Sequence, residues 1–311
     1  MAKDFHHQPV LVREVVTLME PAGRGEIMDG TVGGGGHTLA LLERYPECRI
    51  LAVDRDPEAL AAARVNVGRH EGRVRFFEGG FEEAARSAAD EGPKLAGALL
   101  DLGVSAHQLD RDARGFTFRP EAPLDMRMTG AKGAGPTAAD VLNGWEEEEL
   151  RRIFREYGEE PQARRLAKAV TLLRGDRPFR VAGDFIEAME KAFRRPPTIK
   201  EKARCFMSLR LEVNREIEVL EAALPALKEA LCPGGILAVI SYHSLEDRRV
   251  KQAFQSWSQG CVCPPKLPVC LCGGKASGTL ITRRVVRPDE DEVEANPRAR
   301  SARLRAWRKA A

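Results

Sequence analysis

No run in this sequence of 311 residues approaches the roughly 18 consecutive apolar positions that a membrane-spanning helix requires, so no spanning segment is expected. The leading stretch Met1-Ala-Lys-Asp-Phe-His-His lacks the apolar core of a secretory leader, and a cytoplasmic location is the expectation. A surplus of either charge is missing too. The formal net charge is +3, so bulk composition does not announce a nucleic-acid binder, and any basic patch has to be local. No internal repeat or low-complexity tract is evident apart from the acidic run Asp289-Glu-Asp-Glu292. The seven cysteines are an odd number, and four of them fall within residues 261–272, unlike the spread of a secreted disulfide framework.

What the chain has is a hydrophobic share of 43%, enough for a large core and two domains. Its central feature is Asp29-Gly30-Thr31-Val32-Gly33-Gly34-Gly35-Gly36-His37. This stretch follows the apolar Ile27-Met28 and precedes the helix-like Leu39-Ala40-Leu41-Leu42. A strand, a glycine-rich turn and a helix start let backbone N–H groups crowd a ligand, either a dinucleotide pyrophosphate or the carboxylate of S-adenosylmethionine.

Residues 7–20 have helical spacing at Val12, Val15, Val16 and Met19, ended by Pro21 and Gly23. Ile50 to Val53 form a second apolar run closed by Asp54, 25 positions after Asp29, where an acid can bond a ribose diol. Val74–Phe77 and Leu95–Leu100 supply strands three and four, the latter ending in Asp101, and Phe81 lies at the exit of strand three. This rhythm predicts a doubly wound, Rossmann-like α/β sheet. The dinucleotide fingerprint G-x-G-x-x-G/A fails, because counting from Gly33 ends on Thr38 and counting from Gly34 ends on Leu39. Asp29 would also oppose a pyrophosphate but suits the ammonium of a methionine moiety, so S-adenosylmethionine is favoured and an oxidoreductase disfavoured.

From about residue 110 the rhythm stops. Residues 111–137 read as loop, and helical stripes follow at 146–157, 161–173 and 184–193. A helical pattern from Arg204 to about Leu231, with Pro225 expected to interrupt it, leads to a strand at Ile236–Ile240 and a helix from Leu245 to Phe254. The expected domains are 1–110 with 215–311, and an inserted helical domain, 111–214, for substrate recognition. Arg298 to Lys309 holds six basic residues and no acid and reads as a phosphate-contacting tail.

Several motifs together resemble the RsmH (MraW) family of 16S rRNA cytidine N4-methyltransferases. They include His7-Gln-Pro-Val10, the Asp29–His37 stretch, Asp54-Arg-Asp-Pro57, Asp101-Leu-Gly-Val-Ser105, Gln108-Leu-Asp110, Arg114-Gly-Phe-Thr-Phe118 and Leu124-Asp-Met-Arg-Met128. Tyr157-Gly-Glu-Glu160, Ser241-Tyr-His-Ser-Leu-Glu-Asp-Arg248, Pro265-Lys-Leu-Pro-Val-Cys270 and Asn296–Arg305 complete the set, in order along nearly the whole chain. The resemblance implies S-adenosylmethionine as cofactor, bound at Gly35, Gly36, His37, Asp54, Phe81, Asp101 and Gln108, with Gly34 of the same turn added. It alone assigns His37 and Gln108. The implied substrate is a cytidine in the decoding region (P site) of 16S rRNA, in an assembled or nearly assembled small subunit. A non-catalytic ribosome-assembly factor is the alternative, and a homodimer is left open.

The exocyclic amine of cytosine is a poor nucleophile that loses a proton on methylation, so the candidate catalytic residues are Asp101 and His243. Their alternatives are cofactor anchoring for Asp101 and a loop-fixing hydrogen bond for His243. Phe116, Phe118, Arg127 and Arg210 are candidates to stack on an extruded base, with Phe116 and Phe118 equally suited to a core. The sequence departs from the family where Ser-Phe-His-Ser reads Ser241-Tyr242-His243-Ser244, so the phenol at 242 is not expected to be essential chemistry. It departs again around Lys200–Arg210, where Arg204, Phe206, Leu209 and Arg210 are kept and the flanks differ. Cys261, Cys263, Cys270 and Cys272 could hold a structural zinc, but their C-x-C spacing makes free thiols the preferred reading, and no catalytic metal is expected.

Overall fold

The computed structural model describes residues 9–91, 94–130, 133–260, 263 and 274–311. Among these, seven strands form one sheet: β1 (Glu26–Asp29), β2 (Arg49–Asp54), β3 (Val74–Glu78), β4 (Leu95–Asp101), β5 (Leu231–Ser241), β6 (Gly278–Leu280) and β7 (Arg303–Lys309). Their order is β3-β2-β1-β4-β5-β7-β6. β1 to β5 pair in parallel, and β7 runs antiparallel to both β5 and β6. The architecture is the α/β sheet that the alternating apolar runs require.

Successive residues of the central strands feed opposite cores, which is why those strands are apolar throughout rather than alternating. Ile27, Ile50 and Ala52 face a core shared with the helices Val12–Leu18, Gly36–Arg44 and Pro57–Val67. Met28, Leu51 and Val53 face a second core closed by the helices Phe81–Asp90, Glu216–Ala230 and Ser244–Trp257.

The chain divides into two compact units, 1–103 with 218–311, and 104–217; the sequence reading set its breaks at 110/111 and 214/215. The second unit is helical, with Ala138–Gly144, Glu147–Glu156, Ala163–Asp176, Ala182–Phe193 and Ile199–Val213 as its longer helices. Its core holds an aromatic chain in which Phe154 stacks on Phe185 and Phe185 leans on Phe206. Phe118 meets Phe206 edge-on, with ring centroids 5.0 Å apart, and Phe116 also packs against this core. Both phenylalanines pack on this core and stay partly exposed. Arg127 pairs with Asp125 at 2.8 Å, and Arg210 grips both oxygens of Glu216 at 2.8 and 3.0 Å, so both guanidiniums are committed within the unit.

Two expectations from the second half of the chain need correction. The long helical pattern is two helices, and its break is not at Pro225, which lies inside Glu216–Ala230. The break falls after Val213, where Arg215 takes φ 50° and Asn214 Nδ2 donates to the Met126 carbonyl at 2.8 Å. Buried Leu220, Ala223, Leu224 and Leu227 carry the second helix past the proline. The basic run read as a phosphate-contacting tail is not a tail: Arg298 and Arg300 lie in the short helical turn Pro297–Ser301, and the remainder is β7. Leu304 and Ala306 enter one core, and Trp307, fully buried, enters the other against Phe254 and Trp257. Arg305 grips Asp247 at 2.6 and 3.1 Å, and Lys309 Nζ donates to the Leu231 carbonyl at 2.7 Å. The alternation of basic and apolar residues there is the period of a strand, and β5 is its partner.

Candidate functional site

The strand order reverses at β1, whose neighbours β2 and β4 lead to opposite edges of the sheet; ligands of doubly wound sheets sit beyond the carboxyl ends of strands at such a point. The glycine-rich turn is laid across it. Gly30 N–H donates to the Leu99 carbonyl of β4 and Val32 N–H to the Val53 carbonyl of β2, both at 2.9 Å. Gly33 and Gly35 have φ of 51° and 83°, left-handed values that side chains disfavour. A side chain on Gly35 would also press on Ala63 at 3.3 Å, whereas the space beside Gly33 is open to 3.9 Å. Gly34 is fixed by its carbonyl, which accepts from Asn66 Nδ2 at 2.8 Å. Gly36 opens the helix Gly36–Arg44 and lies under Pro9, whose Cγ would be 2.8 Å from a Cβ there.

Asp29 is buried to 1% exposure. Its Oδ2 accepts from Thr38 Oγ1 at 2.6 Å and its Oδ1 from Thr31 N–H at 3.3 Å; burial raises its pKa. Asp54 accepts from Gly33 N–H at Oδ2 and from Asp56 N–H at Oδ1, both at 2.9 Å, and loss of solvent pushes its pKa up to about 6. Two of about four lone-pair positions on that carboxylate are thereby used, leaving acceptor capacity for a diol. Phe81 opens the helix after β3 with its Cβ 3.1 Å from where a Gly30 side chain would begin.

Asp101 closes β4 and is drawn into a polar chain. Its N–H donates to Thr31 Oγ1 at 2.7 Å, and its Oδ1 accepts from the Tyr242 hydroxyl at 2.8 Å. Its Oδ2 lies 3.8 Å from His37 Nδ1. The other imidazole nitrogen, Nε2, is 2.8 Å from the Val10 carbonyl; a carbonyl only accepts, so Nε2 carries the proton. The structure therefore brings Gly34, Gly35, Gly36, His37, Asp54, Phe81 and Asp101 to one edge of one sheet.

The two remaining candidates have partners of their own. Gln108 lies in the helical unit, where its amide Oε1 accepts from Ser105 N–H at 3.0 Å and its Nε2 donates to the Met128 carbonyl at 3.3 Å. His243 is the N-cap of Ser244–Trp257, with Nε2 3.0 Å from Glu246 Oε1 and Nδ1 3.5 Å from Glu246 N. Nδ1 thus sits in the helix cap, while Nε2 is buried and forms no hydrogen bond among the described residues. Of the four clustered cysteines only Cys263 is among the described residues; Cys261, Cys270 and Cys272 lie outside them, and no metal-ligating cluster occurs among the described residues.

Sequence reasoning missed Thr31 and Thr38, which hold the two acids, and discounted Tyr242. The threonines gave no signal beyond flanking the glycines. The phenol was visible as a departure from the family pattern, but not its reach to Asp101, 141 positions away.

The chemistry of this edge fits S-adenosylmethionine. Two desolvated carboxylates whose proton affinity is raised favour a cation beside them, and a glycine-opened backbone at a helix N-terminus favours a carboxylate. The sequence pattern described as the MraW methylase family matches residues 4–310. A protein named ribosomal RNA small subunit methyltransferase H from Gemmatimonas aurantiaca is 47% identical over 310 residues, covering 98% of this chain and 96% of its own. Proteins of the same name from Heliobacterium mobile and Myxococcus xanthus are 43% and 47% identical over 314 residues, covering 98% and 99% of this chain and 99% of their own.

Proposed function

The chain belongs to the MraW methylase family, and from that premise we propose that it is an S-adenosylmethionine-dependent methyltransferase of 16S rRNA in the small ribosomal subunit. The target on this reading is the N4 amine of a cytidine in the decoding region, and the enzyme is cytoplasmic. The observation that carries the proposal is the gathering of Asp54, Phe81, His37 and Asp101 around the turn Asp29–Gly36, in a chain so similar over its whole length to proteins named for small-subunit rRNA methylation.

S-adenosylmethionine, when bound, would supply an electrophilic sulfonium methyl group and leave as a neutral thioether. The protein's work is then positioning and proton removal. Asp54 would offer its remaining lone pairs to the ribose hydroxyls, Phe81 would pack on the adenine, and the N–H groups after Gly34 would hold the methionine carboxylate. Asp101 orients the amine and accepts the proton it loses. His37, tied to Val10 through its protonated Nε2, turns Nδ1 toward Asp101 and presents it to the crevice as an acceptor. His243 serves by capping its helix and so fixing the loop that carries Tyr242. The helical unit 104–217 recognises the rRNA.

Incubation with methyl-labelled S-adenosylmethionine and small ribosomal subunits, followed by mapping of the label, tests the reading. N4-methylcytidine in the decoding region is the expected product. Cofactor binding without transfer would instead identify a non-catalytic assembly factor.

A further inference from the structure

Tyr242 follows β5, and three contacts hold it in place. Its N–H donates to Glu246 Oε2 at 3.0 Å, its ring packs against the sheet core, and Gly103 lies close against that ring, so a Cβ there would stand 3.7 Å from Tyr242 Cδ2. The hydroxyl ends on Asp101 Oδ1 at 2.8 Å. From this geometry we propose that Tyr242 is a positioning residue: it holds the Asp101 side chain by one carboxylate oxygen and keeps it ionised, so that the group reaches the methylation step in one orientation and ready to accept a proton. The inference deepens the reading of Asp101 as proton acceptor and rests on it.

The chemistry has a definite direction. A hydroxyl that donates to a carboxylate stabilises the charged form and lowers its proton affinity. Burial and the neighbouring Asp101 raise the pKa of the phenol, so Tyr242 stays protonated and remains a donor across the neutral range. The groups around the pair come from three further elements: His37 from Gly36–Arg44, itself beside Asp29 of β1, Glu246 from Ser244–Trp257 and Glu292 from Glu290–Ala295. Of these, His37 is the group that faces the opposite oxygen, Oδ2. With phenylalanine at 242 the Asp101 carboxylate would lose its fixed Oδ1 partner while the ring and its packing stayed.

Selective carboxyl-13C labelling of aspartate, with Asp101→Asn to assign the resonance, reads the pair directly in the ligand-free chain. Tyr242→Phe should raise the Asp101 titration midpoint by about one pH unit. In methyl transfer the same variant should lower kcat about ten-fold and move the acid limb of the pH–rate profile up by the same interval. Global replacement of the three tyrosines by 3-fluorotyrosine keeps every ring and makes the phenol a stronger donor, so the midpoint should fall. Coincident midpoints in wild type, Tyr242→Phe and fluorinated protein would overturn the proposal. So would a midpoint that moves while the pH–rate profile does not. If wild type transfers no methyl group to ribosomal subunits, the rRNA reading fails, and the carboxyl titration still decides whether Tyr242 sets the state of Asp101.

Discussion

The backbone N–H of Gly33 donates to Asp54 Oδ2 at 2.9 Å, which ties the turn after β1 to the acid that closes β2. One hydrogen bond thus makes the glycine turn and this acid a single structural unit. The bond by itself holds the Asp54 pKa down, but burial of the carboxylate outweighs it, and the first prediction follows from that balance.

Desolvation pushes Asp54 up to about 6, above the roughly 3.9 of an unfolded aspartate. An acid with a raised folded pKa contributes stability that is fully present below the unfolded value and lost as pH rises through the folded one. The melting temperature of Asp54→Asn relative to wild type should therefore rise between about pH 4 and pH 6 and level off above it. Cofactor affinity at pH 7 should fall at least about ten-fold, because an amide offers one acceptor oxygen where the carboxylate offered two. Melting curves across pH and calorimetry check the two halves. A flat difference between pH 4 and 6 would refute the first.

Gly35 combines a φ of 83° with a neighbour at 3.3 Å, so Gly35→Ala should cost about 1–3 kcal/mol and weaken cofactor binding. Gly72, with nothing within 4 Å of its would-be Cβ, is the control, and Gly72→Ala should be close to neutral. Urea denaturation of both variants beside wild type makes the comparison.

Trp307 is fully buried between Phe254 and Trp257, and its Nε1 donates to Ser258 Oγ at 3.2 Å. Trp307→Ala should destabilise the chain by about 3–5 kcal/mol. Deletion of residues 303–311 removes β7 and should abolish folding, so cofactor and ribosomal-subunit binding would be lost together. Loss of subunit binding alone, with a normal circular dichroism spectrum, would restore the tail reading.

His243 caps its helix, and asparagine is an effective cap. His243→Asn should keep stability within about 1 kcal/mol and methyl transfer within about ten-fold. A loss beyond a hundred-fold with an intact fold would make the imidazole a proton relay instead.

Much of the site was legible because each of its acids closes an apolar run. Asp29, Asp54 and Asp101 stand at strand ends, and parallel strands in a doubly wound sheet carry their ends to one edge. Phe81 was legible for the same reason, as the residue just past a strand exit. Period and spacing are local properties, and they suffice where the fold repeats a local unit.

The rest depended on contacts between distant segments. The alternation in Arg303–Lys309 has a strand's period, but in so basic a stretch it does not name a partner; β5, more than sixty positions earlier, supplies its hydrogen bonds and its two cores. Pro225 looks like a helix break until the buried face of Glu216–Ala230 outweighs it. By itself the sequence determined the α/β rhythm, the glycine turn and the acids at the strand ends, because strand period and turn chemistry are written within a few residues. Only the tertiary structure decided that Arg303–Lys309 is an internal strand, that His243 Nδ1 meets the first turn of its helix, and that Tyr242 reaches Asp101. A hydrogen bond across 141 positions exists only when the sheet has set β4 beside β5.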